Sequence, residues 1–194
     1  MRWTKVNFIF FIITALILII YATIILLDTK KAYDAKKVLP RWLALSWSLM
    51  YLSGLFLLIL LNIWILPIDL IISVILDSIL IRIGVAILFI SMVQLKSISR
   101  SFGRDNTQLI TTRIYRWSRN PQNLGCFFII FGTALIVRSL ISFILAVIYL
   151  IVIHFYIAYM EEKYLEKLFE KEYSIYKRKT PRYIGRLNQI KKWC

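Results

Sequence analysis

The chain alternates long uncharged apolar runs with short basic segments, and this alternation limits its fold more than any other feature. Residues 7–27, NFIFFIITALILIIYATIILL, hold no charge. About 18 or more apolar residues can cross the roughly 30 Å hydrocarbon core of a bilayer as one helix. A secretory signal would have a shorter apolar region and a small-residue cleavage site, so this run reads as a retained helix. A second run covers about 43–66 and is closed by Pro67, and a third covers about 79–98. Apolar sequence resumes from Leu124 to Tyr159. As one helix that last run would be about 54 Å long at roughly 1.5 Å per residue, too long for a single crossing. The polar break VRSLIS at 137–142 predicts a helical hairpin around Arg138 and Ser139, with a rather short first helix. Apolar residues make up 60 % of the chain, against about 45–50 % in soluble domains. That leaves too little polar surface to cover a water-soluble globule. The predicted fold is therefore all-α: one polytopic membrane bundle over 1–194, with about five transmembrane helices and a C-terminal amphipathic helix.

The formal net charge is +15. Basic charge often signals nucleic acid, but here the Lys and Arg flank apolar runs, so no nucleic-acid partner is expected. Basic loops beside spans mark the cytoplasmic side, facing an anionic leaflet. Segment 28–41, DTKKAYDAKKVLPR, and segment 99–123, with Arg100, Arg104, Arg113, Arg116 and Arg119, fit that rule, as does the tail 160–194. The connection 67–78 carries Asp69 and Asp77 and no Lys or Arg. With five spans the C-terminus is cytoplasmic and the N-terminus external, against a mild pull from Arg2 and Lys5. Cys126, Cys194 and His154 make up no disulfide framework and no His/Cys metal site. Nothing in the sequence indicates an oligomeric state.

The tail EEKYLEKLFEKEYSIYKRKTPRYIGRL begins as an amphipathic helix. Leu165, Leu168, Phe169 and Tyr176 fall near one face; Lys163, Lys167, Lys171, Glu166 and Glu170 take the others. This pattern reads as an interfacial helix lying on the membrane, ended by Pro181. Standard motifs for soluble nucleophiles, nucleotides and zinc proteases are absent. Two polar clusters remain, 107–125 and Glu161–Glu162. Taken singly each has an ordinary reading: topology-setting arginines, a solvated carboxylate pair, Tyr115 as an interfacial anchor, and Asn120 as a helix cap.

Together the clusters carry a resemblance. LITTRIYRWSRNPQNLG at 109–125 is similar to the L-x-T-x-G-x-Y-x-x-x-R-[HN]-P-x-Y-x-G signature of the isoprenylcysteine carboxyl methyltransferase and phospholipid methyltransferase superfamily. RSFGRDNT upstream resembles a further family segment. EEKYLEKLFEKEYSIYKRKTPRYI resembles the family's E-E-x-x-L ending with its terminal P-R. The resemblance covers about 79–185, which would form a methyltransferase-like core, with 1–78 as two N-terminal spans. It implies S-adenosylmethionine as cofactor and a lipid-like, membrane-resident acceptor. It places the cofactor contacts on Thr107, Gln108, Leu109, Ile110, Tyr115, Asn120, Pro121, Gln122, Asn123 and Glu161, on the cytoplasmic side. Glu161 would pair with the cofactor's ammonium group in a poorly solvated pocket. Arg119 would meet the cofactor carboxylate or a lipid phosphate. Glu162 is the candidate base for an amine acceptor, and no metal is implied.

The chain departs from that pattern at three places. Arg113-Ile114 stands where the signature has Gly-Pro. Asn123 replaces a Tyr and removes an aromatic wall. Ile157 stands where prenylcysteine-methylating members carry an Arg, which removes a fixed partner for a carboxylate substrate and favours an amine or phospholipid headgroup. These departures motivate an alternative, a catalytically degenerate lipid-binding or scaffold protein of the same fold. The helices are also distantly similar to steroid-reductase-like NADPH enzymes, but no nicotinamide-phosphate contacts can be identified.

Overall fold

The computed structural model describes residues 5–35, 38–60, 65–95 and 108–184. Six helices follow one another among these residues: α1 (Lys5–Asp34), α2 (Arg41–Leu60), α3 (Leu70–Gln94), α4 (Pro121–Val137), α5 (Leu140–Tyr156) and α6 (Glu162–Lys179). A single 3-10 turn, Arg113–Arg116, precedes α4, and a π-helical turn, Ile157–Glu161, joins α5 to α6. The described chain is helical, with no strand.

Burial is inverted relative to a soluble protein. The buried residues of α3 are Ser73, Gly84, Ser91 and Gln94, while Ile71 and Phe89 are 69 % and 67 % exposed. The serine hydroxyls satisfy themselves on their own helix: Ser73 Oγ donates to Asp69 O (2.9 Å) and Ser91 Oγ to Ile87 O (2.8 Å). Small and polar groups inside with aliphatic groups outside is the arrangement expected where the surroundings are lipid. Among the described residues two helices are long and apolar enough to cross a membrane, Leu70–Gln94 and the continuous helix that starts at Leu140. Helix α4 is equally apolar but shorter, at 17 residues.

The third apolar run starts earlier than its composition predicts. Residues 67–78 read as a connection, yet α3 begins at Leu70. Asp69 is its N-cap, with Oδ1 accepting from Ile72 N (3.1 Å). Asp77 is therefore a helical residue lying against the bare backbone of Gly132 on α4. One carboxylate did not outweigh the propagation of a helix already capped eight residues earlier. Residues 96–98 of the predicted span lie outside the described residues. The hairpin prediction agrees with the structure: Arg138 adopts a left-handed backbone (φ 51°) and Ser139 caps α5. Arg138 Nη1 donates to Ile68 O (3.0 Å), tying this corner to the start of α3.

Helix α6 also departs from its sequence reading. Tyr164, Tyr173 and Tyr176 are buried against the protein. Leu165 and Leu168 pack on a core formed by Ile25, Tyr33, Leu39, Leu43, Trp47, Ile153 and Ile157. The amphipathic periodicity is present, and the apolar partner of Leu165 and Leu168 is the bundle itself. This core joins α1, α2, α5 and α6 at the end of the bundle where the two polar clusters lie.

Candidate active site

Gln94 ends α3 and organises the loop above it. Its Nε2 donates to Thr112 O and its Oε1 accepts from Ile114 N (3.1 Å), so the amide substitutes for a missing backbone neighbour. The 3-10 turn that follows begins with Arg113 in the left-handed region (φ 51°). This is the position where the resembling signature has Gly, the residue that adopts this backbone without a Cβ clash. The conformation is kept although the glycine is not. Tyr115, in that turn, is buried, and its carbonyl accepts from the Tyr176 hydroxyl of α6. Pro121 occupies the first turn of α4, where no N–H is needed. Asn120 sits at the N-cap but its side chain makes no cap bond; Nδ2 reaches Arg182 O instead (3.4 Å).

The segment after α6 lies along this loop. Arg119 N donates to Pro181 O (3.0 Å), Asn120 N to Arg182 O (3.2 Å), and Ser118 Oγ to Arg182 O (3.1 Å). Arg182 then grips Glu162 in bidentate fashion, with Nε to Oε1 at 2.8 Å and Nη2 to Oε2 at 2.9 Å. Arg119 Nη2 reaches the same Oε1 at 3.0 Å, and Lys177 Nζ stands 3.8 Å from Oε2. Glu162 is 1 % exposed. Burial alone would raise its carboxyl pKa, but the Arg182 hydrogen bonds and the charges of Arg119, Arg182 and Lys177 outweigh burial and hold it below the ordinary value. Such a carboxylate is an anchor. The base role expected of Glu162 does not fit this geometry, because both oxygens are occupied by cations and its proton affinity is lowered.

Glu161 behaves in the opposite way. The π-helical turn ends on Glu161, the first of the pair, and π turns of this kind recur at functional sites. Glu161 faces a cavity while its neighbour is enclosed. No hydrogen bond or ion pair engages its carboxylate among the described residues. Burial, with a smaller contribution from the adjacent Glu162 charge, pushes its pKa up to about 7. The residue is half-buried and lines the cavity.

Two cavities meet at Glu161. The first is lined by Gln108, Leu109, Ile110, Tyr115, Arg119, Asn120, Pro121, Gln122, Asn123 and Glu161, together with Tyr33, Tyr164, Leu165, Phe169, Tyr173 and Tyr176. The structure thus brings together every site residue named from sequence except Glu162, which is locked beside the cavity, and Thr107, which lies outside the described residues. The second cavity is mainly apolar and runs between α2, α3 and α4, past Trp47, Tyr51, Leu52, Leu55, Leu88, Met92, Cys126 and Ile129. Tyr33, Gln122, Asn123 and Glu161 line both.

This geometry can be set against known proteins. The family model described as phospholipid methyltransferase matches residues 72–172. The chain belongs to the phospholipid methyltransferase family. It is thereby a member of the integral membrane methyltransferase superfamily that also holds the isoprenylcysteine carboxyl methyltransferases. Neither the curated proteins nor the solved structures provide a match. The matched region carries the polar loop, the hairpin and the Glu pair. Tyr33, Trp47 and Tyr51, which complete the cavities, lie upstream of it.

Sequence reasoning missed several of these groups. Arg182 was visible only as part of the P-R ending, with no partner to suggest its role. Tyr33 sits in a segment that reads as a basic loop, yet α1 continues through Asp34 and stacks Tyr33 on Tyr164 at 4.2 Å between ring centroids. Tyr173 and Gln94 gave no local signal at all.

Proposed function

We propose that the protein transfers a methyl group from S-adenosylmethionine, held in the polar cavity, to a lipid-like acceptor whose apolar part occupies the second cavity. The observation that carries this reading is the meeting of the two cavities at Glu161. The donor set suits the cofactor. The carboxylate of Glu161 lacks a protein partner among the described residues and can take the ammonium group. Arg119 lines the same cavity, and its guanidinium charge can attract the carboxylate. The aromatic rings of Tyr33, Tyr115, Tyr164, Phe169, Tyr173 and Tyr176 offer faces to the adenine and to the positive sulfonium. When bound, the cofactor supplies an electrophilic methyl: an acceptor lone pair forms the new bond, and the S–CH₃ electron pair stays on sulfur.

The protein's own work is positioning and exclusion of water. Glu162, clamped by Arg119 and Arg182, is a positioning residue that fastens the C-terminal segment across the loop. Ile157 is fully buried and uncharged, so the site provides no Arg there for a carboxylate acceptor; an amine headgroup fits better. We assign five spans, α1 to α5, with the cavities and the C-terminus on the cytoplasmic side and the N-terminus outside. The lipid tail would enter sideways between α2, α3 and α4. Titration of the purified protein with S-adenosylhomocysteine tests the reading: micromolar to sub-millimolar binding is expected, and none at millimolar ligand overturns it. In the competing view of a degenerate binding protein, Asn123→Tyr would create cofactor binding that the parent lacks.

A further inference from the structure

Asn123 lines both cavities at their junction, and its side chain is held from outside the region that the family model matches. The Tyr51 hydroxyl of α2 donates to Asn123 Oδ1 at 3.1 Å. Tyr51 is itself fixed, with its ring edge-on to Tyr149 at 5.5 Å between centroids. An amide oxygen engaged in this way decides where the amide nitrogen goes. Asn123 Nδ2 has no partner among the described residues, so its two N–H groups remain for whatever occupies the junction. Glu161, the one acid lining either cavity among the described residues, lines both as Asn123 does.

We infer that Tyr51 is a positioning residue for the acceptor: it orients the Asn123 amide so that the Nδ2 donors meet an anionic headgroup oxygen, specifically a lipid phosphate, while Glu161 stays available for positive charge. The proposal rests on the methyl-transfer reading. Two features favour the lipid over the cofactor as owner of that anionic oxygen. Tyr51 lines only the apolar cavity. The cofactor's carboxylate already has a cation in Arg119, which lines the polar cavity and not the apolar one. The arrangement explains how the loss of an aromatic residue at position 123 is used: the ring comes from Tyr51 on a neighbouring helix, and position 123 becomes a hydrogen-bond donor.

The test uses the full-length protein in detergent and three probes: dihexanoyl phosphatidic acid, which has the phosphate and no amine; oleylamine, which has the amine and no phosphate; and S-adenosylhomocysteine. Tyr51→Phe keeps the ring and removes the hydroxyl. It is expected to weaken phosphatidic acid binding about tenfold, the scale of one oriented hydrogen bond to a charged group, and to leave the other two probes unchanged. Asn123→Asp keeps an acceptor for Tyr51 but replaces the donors with negative charge, so it should abolish phosphatidic acid binding and spare oleylamine. Equal losses of all three probes in Tyr51→Phe, selective loss of S-adenosylhomocysteine, or phosphatidic acid affinity preserved in either variant each overturn the inference. An unaltered protein that binds no phosphatidic acid also overturns it. An unaltered protein that binds no S-adenosylhomocysteine instead removes the methyl-transfer reading, so the two failures are separable.

Discussion

Gly84 and Gly125 meet backbone to backbone: a Cβ on Gly84 would lie 2.6 Å from Gly125 O, and one on Gly125 would lie 2.7 Å from Gly84 O. The obstacle in each case is a carbonyl, which no rotamer change can move. Among the described residues the α3–α4 pair is the most extensive helix contact, and α4 carries Asn120 to Asn123 at its N-terminus.

Gly125→Ala or Gly84→Ala should therefore separate α3 from α4. Overpacking of this kind costs about 1–3 kcal/mol. A lower thermal midpoint in detergent and weaker S-adenosylhomocysteine binding are expected together. Gly54→Ala is the control, since its nearest neighbour is a Tyr149 ring carbon at 3.7 Å, an ordinary contact. If Gly84→Ala is as stable as the parent, the close α3–α4 approach is wrong.

Arg182→Ala leaves Glu162 buried with only Arg119 and Lys177 nearby. Removing one partner of a buried pair typically costs about 3–5 kcal/mol, and Arg182 is 27 % exposed on its side chain, so the lower end applies. Arg182→Lys keeps the charge but not the bidentate fork, and should recover only part of the loss. Proteolysis after residue 179 should accelerate in Arg182→Ala, because the segment is no longer fastened to residues 118–120. Unchanged cleavage would show that the ion pair is not what holds it.

Glu161→Gln should weaken S-adenosylmethionine binding by about 2–5 kcal/mol, roughly 30-fold to several-thousand-fold. Glu166→Gln is the control. Glu166 pairs with Lys177 on a partly exposed surface, and such pairs contribute about 0–1 kcal/mol. Comparable small effects from both would remove Glu161 from the cofactor site.

The raised pKa of Glu161 has a signed consequence. Its folded value, about 7, lies above the ordinary 4.5, so between these values the folded state holds a proton that the unfolded state has lost. Stability of the unliganded protein should therefore fall as pH rises through that window and level off above it. Glu161→Gln should flatten the slope. Cofactor affinity should run the other way, rising toward pH 7 as the carboxylate ionises. The lowered Glu162 contributes stability that is present above about pH 4.5 and is lost on acidification. A parent and Glu161→Gln pair with identical pH profiles from 4.5 to 7 would contradict the burial of Glu161.

Arg113→Gly tests the left-handed turn. The exposed Arg113 side chain makes the substitution a nearly pure backbone change. Left-handed backbone costs an L residue about 1–2 kcal/mol, partly offset by the greater freedom of an unfolded glycine. A net gain of about 0.5–1 kcal/mol is expected, read as a higher midpoint; Arg113→Val should lower it. A destabilised Arg113→Gly would mean that the arginine side chain contributes more than its backbone costs.

The sequence by itself determined that the chain is helical and rich in apolar runs, that a hairpin breaks at Arg138, and that Gln108 to Ile110, Tyr115, Arg119 to Asn123 and Glu161 group together; these residues line one cavity. These properties follow from local causes. Apolar run length, a proline at a helix start and an ordered pair of motifs are all written within short windows. Only the tertiary structure decided which glutamate is free and which is clamped. Glu161 and Glu162 are chemically identical neighbours, and a π-helical turn together with Arg182, twenty residues on, sends them to opposite environments. It likewise turned α6 inward, extended α3 past Asp77, and brought Tyr33 and Tyr51 to a site that begins more than fifty residues after Tyr51. Each of these outcomes depends on a partner distant in sequence, and neither periodicity nor composition carries that information.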